Sequence, residues 1–197
     1  MNIAVIGTGY VGLVTGTCLA DIGHHVLCID TDSHKLSRIV SGDLPIFEPG
    51  LDELVAQNIE RQRLAFHNTV PDLADYDAVF IAVGTPSNDE GDLDLEYVKS
   101  AATSIAPKLS GHTTVVIKST VPPGTAELVE TVIAEWYLNT EIPPFTVVSN
   151  PEFLKEGDAV RDFMKPARVV VVTVPAQRLS GWDATRAPVS DSASPTA

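Results

Sequence analysis

Only two cysteines occur in 197 residues, Cys18 and Cys28. Neither lies in a Cys-x-x-Cys pair or at metal-ligand spacing from a histidine, so a disulfide framework and a zinc site are excluded and both are expected to be core thiols in a reducing compartment. Long hydrophobic runs are also missing. None approaches the eighteen or so residues that a membrane-spanning helix needs. The opening Met1-Asn2-Ile3 enters an apolar strand without the basic region and cleavage site of a secretory leader, and the expected location is the cytoplasm. Positive charge is scarce, with 13 Lys and Arg against 26 Asp and Glu and a formal net charge of -13. Nucleic acid and anionic membrane surfaces are therefore excluded as non-specific partners, because both require a basic face. The acidic excess is expected to serve solubility. Hydrophobic residues at 44% and charged residues at 20% are ordinary globular values, and the length suits one sizeable domain.

Against these absences stands one dense motif. The apolar run Ile3-Ala4-Val5-Ile6 leads into Gly7-Thr8-Gly9-Tyr10-Val11-Gly12, and a helical pattern follows at once. In a Gly-x-Gly-x-x-Gly turn the first glycine permits the tight turn, the second lets a pyrophosphate approach the backbone, and the third allows close packing of helix on strand. The helix N-terminus then offers N–H groups and positive dipole to the phosphates, with Tyr10 and Val11 on its first turn. Asp30 closes the next apolar run, His25 to Ile29, eighteen residues after Gly12. It is placed to accept hydrogen bonds from a ribose diol. No arginine directly follows Asp30, and its carboxylate occupies the place of a 2′-phosphate, so the expected cofactor is NAD rather than NADP.

Downstream, strands and helices alternate. Val11, Val14, Cys18 and Ile22 form a helical stripe. Asp32 and Ser33 are set to cap a second helix through about Val40, which carries Lys35 and Arg38 as the cations nearest the adenosine end. Prolines and glycines from Gly42 to Gly50 keep that stretch irregular before a helix phased by Leu51, Leu54, Val55 and Ile59. Strands are expected at 64–67, 77–83, 114–117, 145–149 and 168–174. Helices are expected with Leu95, Val98, Ala102, Ile105 and Leu109 on one face, and with Leu128, Val132, Ile133 and Trp136 on another. The implied fold is α/β, a doubly wound and mostly parallel sheet of Rossmann type occupying residues 1–174. Thr85 stands at the carboxyl end of a buried strand, where ligands of open parallel sheets lie; it is either a cofactor contact or a turn threonine bonding its own backbone. Glu152 and Glu156, four apart, read from spacing alone as a solvated helix face. Nine of the last eleven residues are Ala, Pro, Ser or Thr, so 175–197 is expected to be a disordered tail.

Taken together, Gly7 to Gly12, Pro45-Ile46-Phe47-Glu48-Pro49-Gly50-Leu51, Gly84-Thr85-Pro86, Lys118-Ser119-Thr120-Val121-Pro122-Pro123-Gly124 and Asn150-Pro151-Glu152-Phe153-Leu154-Lys155-Glu156-Gly157 resemble the UDP-glucose dehydrogenase family, within the wider UDP-glucose/GDP-mannose dehydrogenase group. The resemblance covers residues 1 to about 172, the family's amino-terminal NAD-binding domain. It implies oxidation of UDP-glucose to UDP-glucuronate with two NAD, through an aldehyde held on an enzyme cysteine. It makes Asp30 the acceptor for the adenosine ribose, Lys35 its neighbour and Thr85 a cofactor contact. Thr120 would orient a water or oxyanion beside the nicotinamide. Glu152, Phe153, Leu154 and Lys155 would line the nucleotide sugar, and Glu156 would help activate water for thioester hydrolysis near the nicotinamide ribose. The sequence departs from the family beyond this domain: the central helix, the cysteine-bearing domain and the UDP-binding domain are not in it. Cys18 and Cys28 match no catalytic position, so inactivity of the chain alone is expected, as is a truncated or frame-shifted gene product. Self-association through surface that later domains would cover is a further expectation. The alternatives are an NAD-binding or interaction module without catalysis of its own, or a related UDP-N-acetylmannosamine or GDP-mannose dehydrogenase fragment.

Overall fold

The apolar runs form the strands of one sheet. In the computed structural model, which describes residues 1–87, 91–138 and 140–173, β1 (Asn2–Ile6) and β2 (His25–Ile29) are buried at every position after the first. With β3 (Leu64–His67), β4 (Ala78–Ile81), β5 (Thr113–Ile117), β6 (Phe145–Ser149) and β7 (Val172–Thr173), the order across the sheet is β3-β2-β1-β4-β5-β6-β7. All neighbours are parallel except β6 and β7. Chain order reverses between β1 and β4, so the connections leaving these strands run to opposite sides and open a crevice at their carboxyl ends.

Burial on both faces explains why the strand sequences are continuously apolar rather than alternating. Ala4, Ile6, Leu27, Ile29, Val79 and Ile81 point to one face. They pack there against α4 (Glu96–Ile105) and α5 (Thr125–Trp136), chiefly on Val98, Ala102, Ile105, Val129 and Ile133. Ile3, Val5, Val26 and Cys28 point to the other face, where α1 (Tyr10–Asp21), α3 (Leu51–Glu60) and the single buried position of α6 (Ala159–Met164) complete the core. Gly16 in α1 is a matter of contact: a Cβ there would lie 2.4 Å from Cys28 Sγ. α2 (Ser33–Val40) is capped as its sequence predicts, Asp32 accepting the Lys35 N–H at 2.9 Å.

Three expectations need correction. The anticipated strand over 168–174 is a strand only at Val172–Thr173 and runs antiparallel. Val169, Val171 and Val172 are 68%, 58% and 56% exposed, because nothing among the described residues covers that edge. Ile22 and Trp136, assigned to buried stripes, are 54% and 57% exposed: Ile22 is the C-cap of α1 and Trp136 the last residue of α5. The proline-rich approach of Ala106-Pro107-Lys108 ends α4 in a 3-10 turn before Leu109 reaches the core. Val174 and the expected tail, 175–197, lie outside the described residues.

Candidate functional site

The turn after β1 is built as three different glycines. Gly7 has φ +99°, a left-handed backbone, and its N–H bonds the Ile29 carbonyl at 2.7 Å. A Cβ on Gly12 would stand 2.0 Å from the Gly7 carbonyl oxygen, so that position admits glycine only. Gly9 is the opposite case. It is the N-cap of α1 with ordinary φ of -72°, makes no side-chain cap bond, and has nothing within 4 Å of an added Cβ. The first-turn N–H groups of α1 therefore lack a side-chain acceptor, and open space lies against the glycine in front of them. An uncapped helix N-terminus with one empty Cβ direction fits a phosphate group.

That turn forms one wall of a cleft of about 590 Å³ over the carboxyl ends of β1, β2 and β4. Asp30 and Lys35 line it together with Asn68 and Thr69, as do Val83 and Gly84 after β4 and Tyr97, Ser100 and Ser104 of α4. The contribution of α4 leaves no signal in the sequence, because its cleft-facing residues are ordinary polar helix positions.

Asp30 is heavily organised. One of its oxygens, Oδ2, accepts the Thr8 N–H at 2.9 Å and the Thr8 hydroxyl at 2.8 Å and pairs with Lys35 Nζ. Among the described residues, Oδ1 accepts the Asp32 N–H alone, at 3.0 Å. Burial would raise this carboxyl, but the bonds from Lys35, Thr8 and Asp32 outweigh it and hold the group below its ordinary value. The expected neighbours Asp30 and Lys35 are thus in contact, and Oδ1 keeps acceptor capacity for a diol.

Thr85 and Thr120 are also brought together. The Thr85 hydroxyl donates to the Thr120 carbonyl at 2.9 Å, so it bonds the backbone of the next strand's loop and not its own. Ser119 donates to the Val83 carbonyl at 2.7 Å, and the Lys118 N–H to that of Ile81 at 2.8 Å. These bonds join the loops after β4 and β5 into one ledge on which the Thr120 side chain is exposed.

From Asn150 to Lys155 the chain is neither helix nor strand, and α6 begins only at Ala159. The helix-face reading of Glu152 and Glu156 is thereby overturned: Pro151 and the reverse turn through Gly157, φ +85°, prevent helical spacing. Glu152 instead accepts the Leu154 N–H at 2.5 Å. Phe153 is half exposed with the Arg168 guanidinium carbon 4.6 Å from its ring centroid, and Leu154 packs on the α1 face of the core. The Lys155 N–H is taken by Asp162 at 3.1 Å, and Glu156 is exposed on the turn.

Three polar residues of this region escape sequence reasoning. Lys118 is 7% exposed, its Nζ 3.3 Å from Asn150 Oδ1, and burial lowers its pKa. Asn150 in turn donates to the Val170 carbonyl at 2.8 Å. Glu48 is 4% exposed and takes the Tyr10 hydroxyl at 2.6 Å. The phenol of Tyr10 is thus turned into the protein, leaving its backbone on the cleft side of the motif. Only the setting of Glu48, a charge within Pro45 to Leu51, could have marked it. The two cysteines are fully buried, and burial pushes both thiols up to about 12, Asp21 adding to the effect at Cys18.

Residues 1–181 match a family model described as the UDP-glucose/GDP-mannose dehydrogenase family, NAD binding domain. A UDP-glucose 6-dehydrogenase of Rhizobium meliloti is 53% identical over 173 residues, which are 87% of this chain and 39% of that protein. Among solved structures, a UDP-glucose dehydrogenase from the archaeon Pyrobaculum islandicum aligns with a TM-score of 0.80 at 42% identity, covering 87% of this chain and 40% of the other. A GDP-mannose dehydrogenase from Pseudomonas aeruginosa aligns with a TM-score of 0.81 at 38% identity, over 88% and 41%. The chain spans about 39% of the curated relative's length.

Proposed function

The chain belongs to the UDP-glucose/GDP-mannose dehydrogenase family, whose NAD-binding domain it carries, and from that premise we propose that it holds NAD for the oxidation of UDP-glucose to UDP-glucuronate. The observation that carries the reading is the pairing of an open Gly9 at an uncapped helix N-terminus with an ionised Asp30 that lines the same cleft and accepts the N–H of Thr8, the residue before Gly9. When bound, NAD supplies the hydride acceptor. Gly7, Gly9 and Gly12 bring the backbone N–H groups of Tyr10 and Val11 to the pyrophosphate, while Asp30 Oδ1 and Lys35 hold the adenosine ribose. Thr85 braces the ledge, and Thr120 offers its hydroxyl beside the nicotinamide. Glu152 to Lys155 line the sugar, and Glu156 takes the proton from an attacking water, a role suited to an exposed carboxylate on a turn.

Among the solved structures, UDP-glucose is favoured over GDP-mannose by 42% identity to a UDP-glucose dehydrogenase against 38% to a GDP-mannose dehydrogenase. Completion of the reaction needs a thiolate. Cys18 and Cys28 are the sequence's two cysteines, and a buried thiol raised to about 12 is not a nucleophile at neutral pH. We therefore favour an NAD-holding module that does not turn over by itself. Titration with NAD, followed by absorbance of NADH after addition of UDP-glucose, tests both parts. Binding without NADH formation is expected. Failure to bind NAD would overturn the cofactor assignment, and sustained NADH production would overturn the module.

A further inference from the structure

Glu48 is a buried carboxylate with no Lys or Arg paired to it among the described residues. Burying an unpaired charge is unfavourable unless its lone pairs are taken up by donors. Here they are. Oε2 accepts the Tyr10 hydroxyl at 2.6 Å and the Gly157 N–H at 2.9 Å, and Oε1 accepts the Ala159 N–H at 2.6 Å. The donors come from sites 109 and 111 residues further along the chain and 38 residues earlier. Glu48 thereby does the work of an N-cap for α6, whose own N-cap, Asp158, makes no side-chain cap bond. The Tyr10 hydroxyl also lies 3.3 Å from the Lys155 carbonyl oxygen.

The placement of these partners is what matters. Tyr10 is the residue after Gly9, on the first turn of α1, so a ligand on that turn's N–H groups acts on the backbone that carries the phenol. Gly157 and Ala159 close the turn displaying Glu156. One carboxylate therefore stands between the glycine turn and the segment 152–157. A glutamine would keep the shape but present an N–H to one of the two backbone donors, so a carboxylate is required to accept from both sides.

We propose that Glu48 is a positioning residue: through Tyr10 it couples occupancy of the glycine turn to the order of the 152–157 segment, so that the segment assigned to the sugar is set when the cofactor is in place. The proposal rests on the reading that the turn holds NAD. By thermodynamic reciprocity, whatever orders 152–157 also tightens NAD.

Amide hydrogen exchange on the whole chain, with and without NAD, tests it. NAD is expected to slow exchange at Gly157 and Ala159 by about five-fold or more beyond the slowing at core amides of β1 and β4. In Tyr10→Phe, which removes one hydroxyl, that extra slowing, read at NAD concentrations that saturate the variant, disappears. In Glu48→Gln both amides exchange faster without NAD, and NAD no longer restores them. A purely structural clamp would shift the baseline rates in the variants and leave the NAD-dependent ratio unchanged, which would overturn the coupling. Binding of NAD to the wild type without extra slowing would do so too. Absence of NAD binding would overturn the cofactor assignment and this coupling together.

Discussion

Asp30 carries two loads that a substitution separates. Its Oδ2 satisfies both the N–H and the hydroxyl of Thr8, which is fully buried, while Oδ1 retains capacity for a ligand. Asp30→Ala is expected to weaken NAD by roughly 5- to 150-fold, the loss of a charged hydrogen bond worth about 1–3 kcal/mol, and also to lower stability because Thr8 is left without its acceptor. Calorimetric titration and urea unfolding of the same variant check the two effects, and an unchanged NAD affinity would remove Asp30 from the site. Glu48 makes a different prediction. Burial would raise its carboxyl, but the bonds from Tyr10, Gly157 and Ala159 win and hold it below the ordinary value; Asp30 is lowered in the same sense. A group depressed in the folded state contributes stability that is fully present above its unfolded value, about 4 for these carboxyls, and lost as pH falls through the folded value. Unfolding free energy is therefore expected to be level at neutral pH and to decline in acid. Glu48→Gln should be less stable at neutral pH and show a shallower acid decline, since glutamine does not titrate. Parallel acid declines in the two proteins would contradict the assignment.

At the level of the β1–turn–α1 unit, the three glycines divide into two where an added Cβ would clash and one, Gly9, where it would meet nothing within 4 Å. Gly12→Ala places a methyl 2.0 Å from backbone oxygen, and neither helix nor turn can give way without losing the packing of α1 on the sheet. Loss of cooperative folding is expected, read by circular dichroism on melting. Gly9→Ala meets nothing within 4 Å and keeps a φ that alanine adopts freely. Its melting temperature without ligand should match the wild type, yet NAD binding should fall at least about ten-fold, because the methyl enters the space where phosphate approaches. Equal NAD affinity in Gly9→Ala would show that the open face is not the phosphate face. The ledge of β4 and β5 depends in the same way on element pairing: the loops after these strands are adjacent only because β4 and β5 are neighbours in the sheet.

Across the whole molecule, binding and exposure set the remaining expectations. A ligand that binds only the folded state stabilises it by about 2.7 kcal/mol at a hundred-fold excess over its dissociation constant. A rise in melting temperature with NAD, smaller in Gly9→Ala at the same NAD concentration, is therefore expected. Among the described residues β7 is an outer strand of the sheet with the exposed Val169, Val171 and Val172 on and beside it, a combination that invites pairing with another chain. We expect concentration-dependent association in sedimentation, reduced by Val171→Asp, which puts a charge on that edge. A monomer at all concentrations would refute this. The chain spans about 39% of its curated relative's length, and in a longer chain the same edge would be available for covering.

The sequence by itself determined what is local. Glycine spacing specified the turn because steric limits on each residue act within a few bonds, and continuous apolar runs specified buried parallel strands because both faces of each strand had to be covered. Asp30 was found by its distance from that turn, and Lys35 by the helix that Asp32 caps. Only the tertiary structure decided which oxygen of Asp30 keeps acceptor capacity, that the Thr85 hydroxyl serves the Thr120 carbonyl 35 residues away, and that 150–155 is neither helix nor strand. It alone turned Glu48 from one charge in a proline-rich loop into the acceptor joining Tyr10 to Gly157 and Ala159. The physical reason is the same in each case: these hydrogen bonds depend on which strands and helices become neighbours, and no periodicity along the chain encodes a partner more than a hundred residues away.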